Sequence, residues 1–445
     1  MSSARRPLLA VLAAALLGVG VASSVSTTPN PSSLPNGFST IGVVESAALY
    51  CTGLSSPQGA AAGHVSFLNT SDSPKSLTLN VVSDVGKSYS TQMTIAPFAS
   101  RSIDPSAVLL GNNFAVAAQV SGGGVVGEEV TRTGTGLAPC ISTGLTDWYA
   151  AGFDTTVGSR ASLSIYNPTA TPAVFDVSTY SRSGFAAPAT FQGVSVGAHA
   201  QYELNLGNQI VNIENVGVRV RVVRGTLDVV GVQQSGLRTS FNAGLAGPSA
   251  TAQFPRVTTA INSTVQIRVA NPTGRTAQVT IHVGLPPYHV APLSLRVPAY
   301  DSAEASITPN PAIPAAGYAT VALTSSVPVV AALAAGSRSS LAVTSPGTPG
   351  GQFLISDILG SRFNSATVTN TAPHPITLHF YDIASRASSS FVLAGDTTAD
   401  VATAFTPGVA GRNVFVTASR PTLLVTLALP SNPLGVVVVA PLDGR

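Results

Sequence analysis

One five-residue stretch carries the letters of a catalytic motif. Residues 193–197 read Gly-Val-Ser-Val-Gly, the pattern in which Ser195 would be the nucleophile of an acyl-transfer enzyme. That motif requires a helix after the serine, because only a sharp strand-to-helix turn exposes the hydroxyl. Here Tyr202, Leu204 and Leu206 recur at every second residue, which predicts a strand instead. We therefore expect no catalytic residue in this stretch.

Glu128 and Glu129 form the only adjacent pair of acidic residues in the chain. Neighbours on a strand point to opposite faces, so the two cannot provide the paired carboxylates of a glycosidase. An inward-facing glutamate at a sheet edge can instead block pairing with another chain, and we expect that role here.

The chain has six histidines, which are candidate metal ligands. His282 and His289 lie on either side of the turn at 285–287 and can approach each other, but no third ligand stands nearby. His379 and Asp382 are three residues apart on a predicted strand and therefore face opposite ways. The chain also has no glycine-rich phosphate loop followed by lysine. We predict no metal, no cofactor and no catalytic residue.

The clearest pattern is a fourfold repeat centred on an asparagine. Each copy has a short apolar strand before the asparagine, then a polar or proline-containing turn, then a longer β-like run. The repeat has two interpretations, a structural turn closed by the amide and a repeated ligand site. Four copies at one position of a fold favour the structural turn. The residues are Asn69, Asn167, Asn271 and Asn370.

The elements that carry this repeat are predicted to be strands. Seven or so short strands per hundred residues is typical of an immunoglobulin-like sandwich, whereas propeller blades take only about 40 to 50 residues. We therefore predict an all-β fold of four tandem immunoglobulin-like β-sandwich modules, covering residues 46–142, 147–246, 254–344 and 352–445. Each module is expected to end in a hairpin, with turns at 121–124, 223–225, 324–326 and 418–421.

The N-terminus is typical of an export signal. Arg5 and Arg6 precede an apolar run at 8–22, and small residues follow at the cleavage position. We interpret residues 1–22 as a signal peptide or an uncleaved membrane anchor, and the proline- and serine-containing residues 23–45 as a flexible linker. Either way, the remaining chain is expected outside the cytoplasm, secreted or tethered to the outer face of the membrane. Membrane contact is expected only through such an anchor.

Two cysteines fit that compartment. Cys51 and Cys140 lie at the start and end of the first predicted module, and a disulfide between them is the simplest interpretation in an oxidising environment. Charged residues make up only 9% of the chain and the net charge is +3, with the basic residues scattered. No basic stripe can follow a phosphate backbone, so nucleic acid is not expected as a partner.

Aromatic residues give the strongest indication of binding. By strand alternation, Tyr166 and Tyr180 of the second module face away from its core and are expected at the surface, where they are candidates for contact with sugars or partner proteins. Trp148 and Tyr149 are further candidates, although a single tryptophan in a sandwich is more often part of the core.

Several of these features together resemble a family of extracytoplasmic actinobacterial proteins known only as a domain of unknown function. They are the run 49–51 ending in Cys51, then Cys140, the pair Trp148 and Tyr149, and the run 163–168. The resemblance is best over residues 46–240 and implies an exported or membrane-tethered envelope protein without an assigned activity. We expect a non-catalytic scaffold or spacer that binds an envelope protein or cell-wall glycan. The alternative is an accessory protein or enzyme in envelope glycan assembly, with a sugar-binding surface on module two.

Overall fold

The structure is a computed structural model that describes residues 48–55, 63–97, 99–131, 136–236, 238–336, 342–344, 346–347, 352–355, 365–382, 387–401, 414–429 and 432–438. The predicted export signal at 1–22 and the predicted linker at 23–45 lie outside the described residues. Within these ranges the chain is almost entirely β-strand, which confirms the predicted all-β class.

The first part of the described chain contains strands and one short helix. They are β1 (Ala48–Ser55), β2 (Gly63–Asn69), β3 (Lys75–Ser83), β4 (Ser88–Ile95), β5 (Ser100–Ile103), α1 (Pro105–Val108), β6 (Asn113–Val120), β7 (Val125–Thr131) and β8 (Leu137–Pro139). The second part contains strands and two 3-10 turns, at Ala189–Phe191 and Leu206–Asn208. Its strands are β9 (Asp147–Phe153), β10 (Ser159–Tyr166), β11 (Ala173–Ser181), β12 (Gly184–Ala186), β13 (Val194–Val196), β14 (Gln201–Asn205), β15 (Val216–Arg224), β16 (Asp228–Ser235) and β17 (Arg238–Asn242).

The third and fourth parts continue in the same way. Strands of the third are β18 (Ser249–Thr258), β19 (Val265–Ala270), β20 (Ala277–Gly284), β21 (Leu293–Val297), β22 (Ser302–Thr308), β23 (Tyr318–Ala335) and β24 (Ala342–Thr344). Strands of the fourth are β25 (Gln352–Ile355), β26 (Ser365–Asn370), β27 (Ile376–Asp382), β28 (Ser388–Leu393), β29 (Thr398–Asp400), β30 (Val414–Ala418), β31 (Leu423–Leu429) and β32 (Asn432–Val438). In the part of the chain described, no helix is long and apolar enough to cross a membrane.

The strands form when apolar and polar residues alternate. In β3, Leu77, Leu79 and Val81 are fully buried while Thr78 and Ser76 are exposed. Successive side chains on a strand point to opposite faces, so this period buries one face and leaves the other free. The buried face of β3 packs into one hydrophobic core together with residues of β2 and β6.

One order of strand pairing occurs four times. The first part has sheets β1-β6-β3-β4 and β5-β2-β7-β8, and the second has β9-β15-β11-β12, with β13 also on β11, and β14-β10-β16-β17. In the third, β18 and β20 pair with β23, β20 also pairs with β21, and the order β22-β19-β23-β24 completes the sheet. The fourth has β25-β30-β27-β28 and β29-β26-β31-β32. All these pairs are antiparallel, and each part encloses a hydrophobic cluster, which in the first part also takes in Val230, Val232 and Phe241 of the second. We call these four parts sheet pairs one to four.

The predicted closing hairpins are wrong. In sheet pair one, β6 and β7 flank the turn at 121–124, but β6 lies between β1 and β3 whereas β7 lies between β2 and β8. The chain therefore crosses from one sheet to the other instead of folding back on its neighbour. In sheet pair three there is no turn at all, because the 18-residue strand β23 continues through 324–326 and pairs with β20 in its first half and β19 in its second.

This crossing also affects the comparison with the immunoglobulin order. In immunoglobulin domains the sixth and seventh strands lie in the same sheet. Here the sixth and seventh strands of sheet pair one, β6 and β7, lie in different sheets, as do β15 and β16, which take the same places in the pairing order of sheet pair two. The strand order therefore differs from that of an immunoglobulin domain after the sixth strand.

Candidate functional site

The repeated asparagines lie at the end of β2, β10, β19 and β26 and are fully buried. In the second copy, the Asn167 Nδ2 donates to the carbonyl oxygens of Thr171 at 2.8 Å, Val196 at 3.2 Å and Gly197 at 2.8 Å. Its Oδ1 accepts from the Thr169 backbone N–H at 2.9 Å and from the Thr169 hydroxyl at 2.7 Å. The amide thus ties the turn after β10 to the connection that follows β13.

The other three copies have matching partners. Asn69, Asn271 and Asn370 each donate to three carbonyl oxygens, one four residues ahead and two at the end of a more distant strand. Each Oδ1 accepts from the backbone N–H two residues on, although for Asn370 the second donor is the hydroxyl of Thr422. Since donors and acceptors are all engaged within the turn, these amides offer nothing to a ligand.

The expectation that Tyr166 and Tyr180 face solvent is wrong. Their side chains are only 1% and 4% exposed. Tyr166 packs against Val82 and Ala115 of sheet pair one, and Tyr180 belongs to a cluster with residues such as Ala270 of sheet pair three. Alternation placed both rings on the outer side of their sheets, but the neighbouring sheet pairs cover that side.

Trp148 and Tyr149 are buried as well, so the four predicted aromatics do not form an exposed patch. The Trp148 indole Nε1 donates to the Ala243 carbonyl at 2.8 Å. Gly244, with a φ of +69°, passes so close to this indole that a Cβ would lie 2.3 Å from it. Tyr149 lies under the Arg219 guanidinium, which is 5.3 Å from the ring centre.

The predicted disulfide is confirmed. The Cys51 and Cys140 sulfur atoms are 1.99 Å apart and join β1 to the residue after β8. The bridge therefore ties the first strand of sheet pair one to the end of its last strand.

Sheet pairs one and two meet through a buried polar network. The Ser164 hydroxyl donates to the Thr52 carbonyl, the Gln201 amide donates to the Ser164 hydroxyl at 2.7 Å, and the Thr52 hydroxyl donates to Gln201 Oε1 at 3.1 Å. Nearer the surface, the Asn113 amide donates to Glu203 at 2.9 Å. Because buried polar groups must be satisfied, these bonds fix one relative position of the two sheet pairs.

Two carboxyl groups are buried beside this network. Glu129 on β7 and Asp228 on β16 have almost no exposed surface. Glu129 Oε2 accepts from the Gly53 backbone N–H at 2.6 Å, whereas Glu129 Oε1 and Asp228 Oδ2 have no hydrogen-bond partner. Burial raises the pKa of Glu129 well above its ordinary value, and the charge of Asp228 raises it further. Burial also raises the pKa of Asp228 well above its ordinary value.

The expected edge-blocking role of Glu128 or Glu129 is wrong. Strand β7 is internal to its sheet, with β2 on one side and β8 on the other. Glu128 lies opposite Pro139 and Glu129 opposite Ala138, so neither residue is at an open edge. The sequence did contain a signal for the burial of Glu129, since it has the same strand parity as the buried Val125.

Sheet pairs two and three are joined by a buried arginine. The Arg268 Nη1 donates to the Gly152 carbonyl at 3.0 Å, and its Nε lies 3.6 Å from Glu304. The Ser302 hydroxyl donates to the Asn215 carbonyl at 2.6 Å across the same contact. Burial lowers the pKa of Arg268, and the charge of Glu304 opposes that shift.

A second buried arginine forms no ion pair with a carboxylate among the described residues. The Arg256 guanidinium lies 4.1 Å from the centre of the Tyr318 ring, and its Nε and Nη1 make no hydrogen bond. The residue occupies a bulge of β18 with a φ of +55°. The face of the aromatic ring stabilises the cation.

An open cleft lies between sheet pairs three and four. Its lining includes Gln253 and Phe254 on one side and Thr371 and Asp396 on the other.

Among the described residues, no group of three or more histidine, cysteine, aspartate or glutamate side chains could hold a metal ion. Ser195 lies in β13, and β14 follows it as predicted in place of a helix.

Two exposed aromatic rings adjoin each other where sheet pairs two and three meet. Phe185 is 54% exposed and Tyr300 is 45% exposed, with ring centres 6.0 Å apart at 61°. Phe185 also contacts the buried Tyr180, whose ring centre is 5.8 Å away. Sequence reasoning missed this pair because the two residues are far apart in the chain, and no pattern within one sheet pair brings them together. We call Phe185 and Tyr300 the aromatic pair.

Comparison with known proteins gives one family match over part of the chain. A family of unknown function, DUF5719, matches residues 126–345, which run from β7 to β24. No curated protein matches the sequence. One similar solved structure is described as a crystal structure of a tetra-tandem repeat in the extending region of a large adhesion protein. It is 12% identical, with 88% of this chain and 98% of that chain covered, and its TM-score of 0.11 is too low to bear on the fold.

Proposed function

We propose that this chain is a non-catalytic scaffold or spacer of the cell envelope, with a surface that binds a protein or glycan. The observation that carries the proposal is the way in which successive sheet pairs are joined. Hydrogen bonds such as Thr52 to Gln201, and Arg268 to Gly152, cross from one sheet pair to the next, are buried at the contacts and have specific partners. Such contacts hold neighbouring units at a fixed spacing, which is the property that a spacer needs.

The unit of this scaffold is one two-sheet sandwich, repeated four times. The recurring strand order and the recurring asparagine turn support this division, with the strand order differing from that of an immunoglobulin domain as described above. Because each sandwich has its own hydrophobic cluster, length is gained by adding units without rebuilding the core.

An extracytoplasmic location is part of the proposal. A disulfide such as Cys51–Cys140 forms and persists in oxidising compartments and is rare in the cytosol. The apolar run at 8–22, which follows two arginines, is the sequence feature that would direct export. It would act either as a cleaved signal peptide or as an uncleaved membrane anchor.

The aromatic pair is the proposed binding surface. Large rings with an apolar body are enriched where proteins meet partners, and they also stack on sugars. We expect Phe185→Ala combined with Tyr300→Ala to weaken partner binding at least about tenfold, since each ring of a binding hot spot contributes about 1 kcal/mol or more. Binding is measured by titrating the purified protein with solubilised wall glycan and, separately, with fractionated envelope protein.

Val211→Ala is the matched control, because Val211 is also an exposed apolar residue but is not part of the aromatic pair. Both variants should unfold within about 0.5 kcal/mol of the unaltered protein, since half-exposed side chains contribute little to stability. Equal binding by the aromatic double variant and the control would remove the aromatic pair from the proposal.

The second candidate is an accessory role in envelope glycan assembly, in which the ligand of the same surface is a sugar. The half-exposed rings of Phe185 and Tyr300 favour it, whereas the burial of Tyr166 and Tyr180 removes its original motivation. Binding to wall glycan but not to envelope protein would select this candidate. Turnover of any wall glycan by the purified chain would contradict a non-catalytic role.

A further inference from the structure

The contact between sheet pairs one and two contains an unusual charge arrangement. Glu129 comes from β7 of one sheet pair and Asp228 from β16 of the next, and both are enclosed. Strand β1 links them, because the Gly53 N–H bonds to Glu129 while a Cβ at Gly53 would lie 3.0 Å from the side chain of Val230 on β16. The two carboxyl groups therefore lie in one polar site that spans the contact.

Nothing in the described residues neutralises this site. Neither Glu129 nor Asp228 takes part in an ion pair, and each has one oxygen without any partner. The titratable groups on the same strands and on those packed against them are Tyr50 on β1, His64 on β2, Glu128 on β7, Asp147 and Tyr149 on β9, Arg160 and Tyr166 on β10, and Arg238 on β17, with Tyr202 and Glu203 on β14 beside β10. Arg160 is engaged with Glu203 at 2.7 Å on the surface.

The two tyrosines extend the site without adding positive charge. The Tyr50 and Tyr166 rings are 6.0 Å apart. Burial is the main cause that raises the pKa of Tyr166 to about 12, and the neighbouring Tyr50 and Asp228 contribute to the same shift. The Tyr166 hydroxyl therefore keeps its proton. A buried carboxylate without a cation is strongly unfavourable, and two adjacent ones repel each other.

We propose that Glu129 and Asp228 form a proton-dependent lock on the contact between sheet pairs one and two. With protons bound, the carboxyl groups are neutral and the contact stays packed. When both lose their protons, charge repulsion and the need for hydration separate β1 and β7 from β16. The chain then gains freedom at this contact, and the spacing set by the first two sandwiches is no longer fixed.

The direction with pH follows from the raised pKa values of both carboxyl groups. Between the ordinary carboxyl pKa, about 4, and the raised values, the folded protein binds more protons than the unfolded chain. The contribution of the two protonated carboxyl groups to the stability of the folded protein is therefore complete below about pH 4. It is lost as the pH rises through their raised pKa values. For an ion-paired carboxyl such as Asp176, whose pKa the Arg221 hydrogen bond lowers, the dependence has the opposite sign.

The test compares the unaltered protein with the double variant Glu129→Gln and Asp228→Asn, which keeps the side-chain shapes but cannot ionise. Hydrogen exchange, corrected for the intrinsic effect of pH, is followed in peptides covering β1 and β16 from pH 5 to pH 9. We expect protection of these peptides to fall as pH rises in the unaltered protein and to stay level in the double variant. Peptides covering β20 in sheet pair three are the internal reference and should not change.

A matched variant, Asp176→Asn, removes a partly exposed carboxyl in the other sheet of sheet pair two and should keep the pH response of β1 and β16. If the double variant does not fold, the unaltered protein alone tests the proposal. Hydrogen-exchange protection of the β1 and β16 peptides that stays constant from pH 5 to pH 9 would contradict a proton-dependent lock. An equal loss of protection in β1, β16 and β20 would also contradict it, since that pattern is global unfolding.

Discussion

Replacing Asn167 with alanine will lower the free energy of unfolding of sheet pair two by about 3–5 kcal/mol. The change removes the donor to three carbonyl oxygens and the acceptor for Thr169, at a position with no exposed surface. Each buried polar group left without a partner costs about 1–3 kcal/mol. The measurement is denaturant unfolding followed by the fluorescence of Trp148, the only tryptophan, which lies in the core of the same sheet pair.

Two further substitutions define what the amide contributes. Asn167→Asp keeps the shape and the acceptor for Thr169 but has no N–H to offer to Val196 and Gly197, so it should destabilise as strongly as alanine. Asn208→Ala, at an exposed position, is the control and should change stability by less than about 0.5 kcal/mol. A loss below about 1 kcal/mol for Asn167→Ala would mean that the turn is held by its backbone alone.

Removal of the disulfide is expected to have the second large effect. The double variant Cys51→Ala and Cys140→Ala should lose about 2–5 kcal/mol in sheet pair one, because the bridge closes a loop of 89 residues and limits the unfolded chain. Limited proteolysis in increasing denaturant, with cleavage mapped to the peptides of β1 and β6, reports this sheet pair separately from the others.

Reduction provides the control for that experiment. A thiol reductant should shift the unaltered protein to the midpoint of the double variant and leave the double variant where it is. A midpoint of the unaltered protein that does not respond to complete reduction would show that the bridge adds nothing to stability.

The sequence was sufficient for features that depend on local pattern. The alternation in β3 and β11 placed the strands, because a sheet with one buried face imposes a period of two. The position of Asn167 after an apolar strand indicated a closed turn, because an asparagine amide bonds backbone groups two residues ahead. The pairing of Cys51 with Cys140 followed from there being only two cysteines in a chain expected outside the cytoplasm.

Features that depend on contacts between sheet pairs could not be predicted from the sequence. Strand alternation correctly put Tyr166 and Tyr180 on the outer side of their sheets, but it contains no information on whether another sheet pair covers that side. For the same reason the sequence does not show that β8 covers the edge of the strand that carries Glu129. The turn at 121–124 was recognisable from glycines that adopt positive φ, yet such a turn is compatible both with a hairpin and with a crossing to the opposite sheet.

Strand β23 has a mechanical consequence. It runs without interruption from Tyr318 to Ala335, about 60 Å at the rise of an extended strand, and forms ladders with β18 and β20 in one half and with β19 and β24 in the other. Tension that enters β23 from either end is therefore opposed in shear by both layers of the same sandwich. Neither layer can slip while the other stays intact, so the third sandwich would yield to pulling as one piece.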